Sequence, residues 1–469
     1  MSDTTGKRSR YRSINPASGK EEKVFEPVTD EKMGQIVNKA HEAFGKWKKK
    51  SYAERGELMN NVACLMRERK TELARLCSIE MGKLLKEAVS EVELCANICE
   101  YYAKNAEEFL KDKPLEVQHG KAFVMYEPLG VILSIQPWNF PYYQIIRSAA
   151  PHIMAGNTFI LKQAHSIPQC ALAMEKVFQQ AGFPEGVYTN VFITEQQSDA
   201  LIANKHVRGI SFTGSEAGGS AVASKAGKWV KVSVLELGGN DPYIVLEENN
   251  WEYALDMVVK GRLTNTGQVC SSPKRVIVMQ SIADEFIQKA KEKFEQIKIG
   301  DPLDPTTEMG PLSSEKALEK VLKQIDDSVN GAGARIVCGG KRVDRPGFFM
   351  EPTILTHILP GTVAYKEEIF GPVMLIFPVK DEEEAIKLAN DSAYGLGATV
   401  ICKDEERAVK VARQIESGMV YINHPTETAP ELPFGGVKNS GYGRELSKEG
   451  LKEFVNKKLI RISSPDADY

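Results

Sequence analysis

A regular alternation of short apolar runs and helical segments is the feature that most constrains the fold of this chain. Apolar runs of strand length occur at residues 131–133, 158–161, 188–193, 209–212 and 232–237. Helical segments follow the first two of these runs, one after the turn at residues 139–141 and one at residues 167–181. This alternation predicts an α/β fold with a parallel, doubly wound sheet. Such a sheet binds its ligands where its strands end, so we expect functional residues there.

A second region of the same kind begins after Gly239. Its strand-like runs lie at residues 243–246, 276–279, 374–377, 399–401 and 420–422. The chain has 469 residues, which is more than one hydrophobic core usually serves and suggests two or three domains. We therefore expect a first α/β domain formed by residues 1–114 and 129–240, and a second formed by residues 241–440.

Two segments fall outside both α/β domains. Residues 115–128 are polar and centred on Gly120, which predicts a β-hairpin, and residues 451–462 read as a helix followed by a strand. A two-stranded hairpin is marginally stable alone in water, so we expect it to extend a sheet in a partner subunit. We assign residues 115–128 and 441–469 to an oligomerisation element of a homodimer or homotetramer, with residues 463–469 as a loose tail.

The composition argues against several classes of protein. A formal net charge of −3 gives no sign of binding to nucleic acid or to an anionic membrane surface. No apolar run approaches the roughly 20 residues of a membrane helix, and residues 1–13 lack the apolar core of a secretory signal. We therefore predict a cytoplasmic protein. The eight cysteines include no CxxC pair and the seven histidines are dispersed, so no metal site is expected.

Two short motifs place a thiol and a carboxylate in unusual settings. Cys270 follows the turn Gly267-Gln268, and Glu236 lies upstream in an apolar run that ends in two glycines. A thiol attacks as the thiolate, and a carboxylate in apolar surroundings has a raised pKa and can act as a base near neutral pH. Such a pair suffices for covalent catalysis followed by hydrolysis. Taken singly, each residue also fits a packing or ion-pair role.

Six motifs together resemble the aldehyde dehydrogenase superfamily, and most of all its succinate-semialdehyde dehydrogenases. The motifs are Pro137-Trp138-Asn139-Phe140-Pro141, Phe212-Thr213-Gly214-Ser215, Glu236-Leu237-Gly238-Gly239-Asn240, Gly267-Gln268-Val269-Cys270, Glu367-Glu368-Ile369-Phe370-Gly371-Pro372 and Pro433-Phe434-Gly435-Gly436-Val437-Lys438. They follow the family's order, and the resemblance runs from about residue 15 to about residue 462. It implies a Rossmann-like NAD(P)-binding domain, a catalytic domain and a small β oligomerisation element.

The resemblance assigns a reaction to four residues. Cys270 attacks the aldehyde carbonyl to form a thiohemiacetal, whose oxygen is stabilised by the Asn139 side chain and the Cys270 backbone N–H. Loss of hydride to the cofactor leaves a thioester, and Glu236 activates the water that hydrolyses it. Lys162 is expected to help fix both Asn139 and the cofactor.

The cofactor site lacks the usual G-x-G-x-x-G fingerprint. The glycine-rich residues 213–219 after a strand offer backbone N–H groups to a phosphate at a helix start, although an ordinary turn explains them equally well. The resemblance favours the cofactor. It implies contacts from Trp138, Lys162, His165, Gly214, Ser215, Gly219, Glu368 and Phe370, with Glu368 on the nicotinamide ribose, Phe370 beside the nicotinamide and Lys162 on the adenosine ribose.

One departure from the family pattern bears on the choice between NAD and NADP. Family members often have a glutamate three residues after the lysine, where it bonds the adenosine ribose and repels a 2′-phosphate. This chain has His165 there, which can donate a hydrogen bond or carry positive charge. Since the repulsion is absent and Lys162 is retained, we expect NADP to be accepted and favoured over NAD.

Arg147 is the candidate for substrate specificity. It lies eight residues, or about two helical turns, after Asn139, so both can face one tunnel. Succinate-semialdehyde dehydrogenases that resemble this chain use an arginine there to grip the substrate carboxylate, which a planar guanidinium fits well. The alternative is a structural ion pair. A second arginine of some members is replaced by Thr264, and the sequence leaves open whether Arg262 reaches the tunnel.

We therefore predict NAD(P)-dependent oxidation of a small-molecule aldehyde to an acid, with succinate semialdehyde as substrate. One alternative is a small neutral aldehyde of the glyceraldehyde or lactaldehyde type. A CoA-acylating enzyme is disfavoured by Glu236, because thiolysis needs no base to activate water. A non-catalytic homologue is disfavoured because Cys270, Glu236, Asn139 and Lys162 are all intact.

Overall fold

The computed structural model describes residues 10–249 and 251–463. The strands are β1 (Tyr11–Asn15), β2 (Lys20–Phe25), β3 (Lys113–Leu115), β4 (Lys121–Pro128), β5 (Val131–Gln136), β6 (Thr158–Gln163), β7 (Tyr188–Asn190), β8 (Val207–Thr213), β9 (Val232–Glu236), β10 (Pro242–Val245), β11 (Arg275–Met279), β12 (Arg335–Cys338), β13 (Thr353–Thr356), β14 (Val373–Val379), β15 (Tyr394–Gly395), β16 (Gly397–Ile401), β17 (Met419–Ile422), β18 (Val437–Lys438), β19 (Gly441–Tyr442) and β20 (Val455–Ile462). The helices are α1 (Asp30–Trp47), α2 (Tyr52–Glu68), α3 (Lys70–Met81), α4 (Leu85–Phe109), α5 (Tyr143–Met154), α6 (Pro168–Gln180), α7 (Glu195–Ala203), α8 (Glu216–Lys228), α9 (Glu252–Leu263), α10 (Gln280–Glu295), α11 (Glu315–Ala332), α12 (Val363–Lys366), α13 (Glu382–Asn390), α14 (Glu405–Ala412) and α15 (Ser447–Leu451). Residues 464–469 of the expected tail lie outside the described ranges.

The first sheet has six strands in the order β19-β9-β8-β5-β6-β7. Strands β5 to β9 are all parallel to their neighbours, and the short β19 is antiparallel to β9. Helices cover both faces, because Ile132 packs into one apolar cluster while its neighbours Val131 and Leu133 pack into another. The five strands predicted here are confirmed.

The second sheet has seven strands in the order β12-β13-β14-β11-β10-β16-β17. All its pairings are parallel except that of β12 with β13. All five residues of β11 are buried, as expected for a strand covered by helices on both faces. The five strands predicted for this region are confirmed, and the strand order places the carboxyl ends of β10 and β11 beside each other.

A third, antiparallel sheet has the order β20-β4-β3. Strand β4 pairs with β20 from Lys121 opposite Ile462 to Pro128 opposite Val455. The predicted hairpin and the predicted strand after residue 451 are therefore present, and they pair with each other within one chain. The oligomerisation role of this sheet stays a prediction.

The start of the expected oligomerisation segment differs from the structure. Gly441 and Tyr442 form β19 and pair with Glu236 and Leu235 in the first sheet, rather than with residues 115–128. Gly441 has φ +115°, and a Cβ there would lie 2.0 Å from the Leu235 carbonyl oxygen. This close approach brings the residues after 440 back against the strand that carries Glu236.

Three consecutive helices, α2 to α4, occupy residues 52–109. A break at Arg69 separates α2 from α3, and Gly82, with φ +83°, ends α3 in the left-handed conformation that favours glycine. Helix α4 then runs for 25 residues and packs against α2 and α5. Within the described ranges, no helix combines the length and apolar character needed to cross a membrane.

Candidate active site

A cavity of about 840 Å³ has Cys270 in its wall. Its inner lining includes Phe140, Tyr143 and Arg147 from the β5–α5 region, together with Phe434. The cavity therefore brings the predicted nucleophile together with residues from the first domain. Within the described part of the chain, no cluster of three or more His, Cys, Asp or Glu side chains could hold a metal ion.

The turn before Cys270 is held in an unusual conformation. Asn265 and Thr266 have φ values of +51° and +56°, and Gly267 follows at +71°. A Cβ at Gly267 would lie 2.2 Å from the Gly371 carbonyl oxygen, so no larger residue fits. The Asn265 Nδ2 donates to the Asn139 carbonyl oxygen at 2.8 Å. The nucleophile turn and the Asn139 turn are thereby joined directly.

The Cys270 thiol is largely protonated at neutral pH in this state. Burial raises its pKa to about 11, while the positive charges of Lys274 and Arg147 lower it. The carboxylates of Glu368 and Asp241 raise it further. Attack therefore requires that a base take the proton or that the local charge change during the reaction.

Asn139 lies in the turn after β5, where its side chain is buried. Its Nδ2 donates to the Gln268 carbonyl oxygen at 3.1 Å, and its Oδ1 accepts from Gln144 Nε2 at 3.3 Å. An amide nitrogen has two N–H donors, so one remains for an oxyanion. The residues that fix Asn139 are thus Gln144 and Gln268, and the expected help from Lys162 is not seen.

Glu236 ends β9 and is buried, with neither carboxyl oxygen bonded to any described residue. Burial raises its pKa well above the usual range, and the charge of Arg147 opposes that rise. Gly435 packs against it, since a Cβ at Gly435 would lie 2.7 Å from Glu236 Oε1. An unpartnered carboxyl group with a raised pKa is suited to proton transfer near neutral pH.

Arg147 is buried on α5 and has a carboxylate partner within the chain. Its Nε forms an ion pair with Glu445, and its Nη2 donates to Thr213 Oγ1 at 3.1 Å. Its Nη1 donates to the Tyr143 hydroxyl at 3.3 Å, and both residues line the cavity. Glu445 was missed in the sequence, because no local pattern relates it to Arg147.

Arg262 does not reach the substrate cavity. It is fully buried at the end of α9 and donates to the carbonyl oxygens of Gly267, Ile369 and Gly371. Its guanidinium therefore joins the nucleophile turn to the loop that carries Glu368. Thr264, at the position of the second arginine of some family members, does line the cavity.

Lys162 and His165 lie at the end of β6, as expected for an adenosine ribose site. Burial lowers the pKa of Lys162 to about 8. Burial and the Lys162 charge lower the pKa of His165 to about 4, and its ring lies 4.4 Å from that of Tyr11. His165 is thus neutral at pH 7, and the positive charge considered for it is not present. Its Nε2 is buried with no partner among residues 10–249 and 251–463.

The remaining residues expected around the cofactor also suit a dinucleotide. Ser215 caps α8 by accepting the Gly218 N–H at 3.2 Å, so it lies at the start of the helix after β8, where a phosphate is expected. A Cβ at Gly219 would lie 2.5 Å from Leu237, so glycine allows the helix to pack closely on its sheet. Trp138 and Phe370 meet edge to face at 5.8 Å.

Glu368 has two partners at the junction of the two α/β regions. It pairs with Lys274 at 3.1 Å and accepts the Gly239 N–H at 3.2 Å. Lys274 was not singled out in the sequence, although it lies only four residues after Cys270. A lysine between a candidate nucleophile and an apolar strand-like run was the signal that could have identified it.

Comparison with known proteins assigns the chain to a family. The profile of the aldehyde dehydrogenase family matches residues 3–460. The chain belongs to the aldehyde dehydrogenase family. The predicted family, the α/β fold class and the prediction of an oxidoreductase are therefore confirmed, whereas the roles of the individual site residues stay predictions.

Relatives of this aldehyde dehydrogenase align over almost its whole length. A succinate-semialdehyde dehydrogenase (NADP(+)) of Deinococcus radiodurans is 46% identical over 451 residues, which are 96% of this chain and 94% of that protein. A probable succinate-semialdehyde dehydrogenase (NADP(+)) of Synechocystis sp. is 42% identical over 451 residues, 96% of this chain and 99% of that protein. The crystal structure of succinic semialdehyde dehydrogenase from Streptococcus pyogenes in complex with NADP+ has a TM-score of 0.95 and 43% identity, covering 97% of this chain and all of that one.

Proposed function

We propose that this aldehyde dehydrogenase oxidises succinate semialdehyde to succinate with NADP. The observation that carries the proposal is the shared cavity, in which Arg147 and Tyr143 lie beside Cys270. The Arg147 Nη1 has a second N–H left for a carboxylate, and the Tyr143 hydroxyl can turn from Thr428 to donate to the same group. Cys270 is the nucleophile for an aldehyde at the other end of the substrate. The names of the relatives from Deinococcus and Synechocystis support the same substrate and cofactor.

The chain's own residues divide the chemistry as follows. The Cys270 thiol loses its proton to solvent water, and the thiolate sulfur forms a bond to the aldehyde carbon. Asn139 Nδ2 and the Cys270 N–H donate to the resulting oxyanion, which is the largest single stabilisation in many acyl transfers. Bound NADP supplies the acceptor for the hydride that leaves the same carbon. Glu236 then takes a proton from water, which displaces the thiolate and releases the acid.

NADP suits the residues present at the adenosine end. Lys162 provides a cation, and His165 provides a buried ring nitrogen without a partner. Because His165 is neutral, its contribution is a hydrogen bond and the absence of a repelling carboxylate, rather than a second positive charge. This is the basis for placing the 2′-phosphate of NADP near Lys162 and His165.

A small neutral aldehyde is the second candidate substrate, and the ion pair of Arg147 with Glu445 favours it. Glu445 already balances the guanidinium charge, so a substrate carboxylate gains less from Arg147 than from an unpaired arginine. The proposal therefore depends on the second N–H of Arg147 Nη1 and on Tyr143, whose one O–H donates to Thr428 Oγ1 at 3.4 Å and would have to turn to the substrate.

Steady-state kinetics with two aldehydes of equal length separate these candidates. Succinate semialdehyde should exceed butyraldehyde in kcat/KM by about one to two decades, since a charge-assisted hydrogen bond contributes about 1.5–3 kcal/mol. Tyr143→Phe and Arg147→Lys should lower the value for the semialdehyde and spare butyraldehyde. Arg147→Ala is the poorer choice because it leaves Glu445 buried without a partner. Equal kcat/KM values for both aldehydes in the wild type would favour the neutral substrate.

We further propose a homodimer or homotetramer, as the small antiparallel sheet suggests, and a cytoplasmic location. The sheet presents exposed apolar side chains on β20, with Leu459 60% and Ile462 52% exposed. Burial of these side chains against a second copy of the chain would remove them from water.

A further inference from the structure

Lys274 is a buried lysine whose three N–H donors all have acceptors. Its side chain is 1% exposed, and its ammonium donates to the carbonyl oxygens of Val269 and Cys270 and pairs with Glu368 at 3.1 Å. An ammonium has three donors, so none is left for a ligand. Lys274 therefore acts on the residues that it holds, and not on the substrate directly.

The Val269 carbonyl is the centre of these contacts. It accepts from Lys274 Nζ at 2.9 Å, from Ser272 Oγ at 3.0 Å and from the Ser272 N–H at 3.3 Å. Arg262 Nη1 in turn donates to Ser272 Oγ. Lys274 thus bonds the Val269 carbonyl directly, and Arg262 bonds it through the Ser272 hydroxyl group.

The Val269 carbonyl and the Cys270 N–H belong to the same peptide group. A trans peptide is planar, so fixing the carbonyl fixes the N–H in the opposite direction. Among residues 10–249 and 251–463, no acceptor bonds to the Cys270 N–H. A cation on the carbonyl oxygen also polarises the group and makes its N–H a stronger donor, because hydrogen bonds in a chain strengthen one another.

We infer that Lys274 is a positioning residue that orients and polarises the Val269–Cys270 peptide, so that the Cys270 N–H stabilises the oxyanion. The same ammonium ties this peptide to Glu368, the residue expected to contact the nicotinamide ribose. Lys274 thereby sets the nucleophile peptide and the cofactor contact relative to each other. The inference rests on the proposed function of Cys270.

The experiment compares Lys274→Met with Lys293→Met, a lysine variant at the same cavity. Lys293 is half-exposed and pairs with Asp256, so its loss leaves the nucleophile turn intact. Losing one oxyanion donor outright slows catalysis by about 10²–10³-fold. Lys274→Met only weakens such a donor, so it should slow single-turnover formation of reduced cofactor by about tenfold. Lys293→Met should stay close to the wild-type rate.

A second readout is the pH dependence of Cys270 alkylation by iodoacetamide in the cofactor-free enzyme. The charged groups around the thiol are Lys274, Arg147, Glu368 and Asp241. Removing the nearest cation should move the alkylation profile of Lys274→Met to higher pH, and Lys274→Arg should restore it in part. A purely structural role for Lys274 would lower thermal stability without moving this profile.

A wild-type single-turnover rate in Lys274→Met, or an unmoved alkylation profile, overturns the inference. If Lys274→Met fails to fold, the substitute variant is Ser272→Ala, which removes a neutral donor from the same Val269 carbonyl. Ser272→Ala should slow the single turnover by about threefold. An unchanged rate in Ser272→Ala would then overturn the inference. Failure of the proposed function is distinguishable, because wild type and Lys293→Met would then both lack aldehyde-dependent formation of NADPH.

Discussion

Glu236 is a buried carboxyl group with no hydrogen-bond partner among the described residues. In the unfolded chain a glutamate ionises near pH 4.3, whereas burial holds the folded-state pKa of Glu236 well above that value. The stability that protonated Glu236 contributes is fully present below the pKa of a glutamate in the unfolded chain. It is lost as the pH rises through the pKa of Glu236 in the folded protein. The residue that suits the reaction is therefore a source of instability at higher pH.

Glu236→Gln should consequently stabilise the protein, and more so at pH 8 than at pH 5. Glutamine keeps the shape of the side chain and never ionises. Thermal unfolding at both pH values measures the effect, with the exposed Glu57→Gln as control. A difference in Tm from wild type that is the same at both pH values would show that Glu236 is not held protonated.

His165→Glu should shift cofactor preference towards NAD. A carboxylate about 4 Å from the 2′-phosphate would repel it by up to about 4 kcal/mol at an effective dielectric near 20, before screening and relaxation. The measurement is the ratio of kcat/KM for NADP to that for NAD, with His165→Gln as the uncharged control. If the ratio stays constant, His165 is not at the ribose.

At the scale of elements, α4 positions the active-site turn through one ion pair. Glu91 on α4 accepts the backbone N–H groups of Tyr142 and Tyr143 at 2.8 and 3.0 Å, at the start of α5. Lys83 pairs with Glu91, and its ammonium lies 3.6 Å from the centre of the Phe140 ring. Both side chains are 1% exposed. The pair fixes the beginning of the helix that carries Gln144 and Arg147.

Breaking this pair from one side should cost about 3–5 kcal/mol of unfolding free energy, because it leaves a buried charge without a partner. We expect this loss for Lys83→Met and for Glu91→Gln in urea unfolding. The double variant should lose much less unfolding free energy than the sum of the losses in the two single variants. Additive losses would show that the two charges do not stabilise each other.

Five strands in each large sheet could be predicted because a parallel strand buried on both faces is an uninterrupted apolar run, whereas β12, β13 and β19 were not predicted. Strand β2 gave no such signal, since five of its six residues are exposed. The β1–β2 hairpin is anchored instead by Tyr11, whose hydroxyl donates to the Ile193 carbonyl oxygen at 2.9 Å. That contact joins distant parts of the chain, and local sequence carries no trace of it.

At the scale of the whole molecule, the site is assembled from both α/β regions. Glu236 ends β9 and Asn139 follows β5 in the first sheet, while Cys270 comes shortly before β11 of the second sheet. The motifs predicted these residues through their resemblance to a family. The Arg147–Glu445 and Lys274–Glu368 pairs could not be predicted, because each depends on how separate loops meet in the folded chain.

The assembly of subunits should depend on the small antiparallel sheet. Leu459→Lys with Ile462→Lys places one charge on each face of β20, because residues three apart on a strand point to opposite faces. Charges are unfavourable at the centre of an interface. We expect the double variant to dissociate at protein concentrations where the wild type is a dimer or tetramer, as measured by light scattering. Substituting the exposed Ile336 in β12 by Lys is the control. A monomeric wild type at micromolar concentration contradicts the proposed assembly.

The covalent route through Cys270 is tested most directly by intact-mass spectrometry of Glu236→Gln mixed with succinate semialdehyde and NADP. Without the base that activates water, the thioester should accumulate. We predict a mass increase equal to one succinyl group per subunit, absent in the Cys270→Ala/Glu236→Gln double variant. An unmodified Glu236→Gln protein that continues to turn over would contradict both the nucleophile and the base.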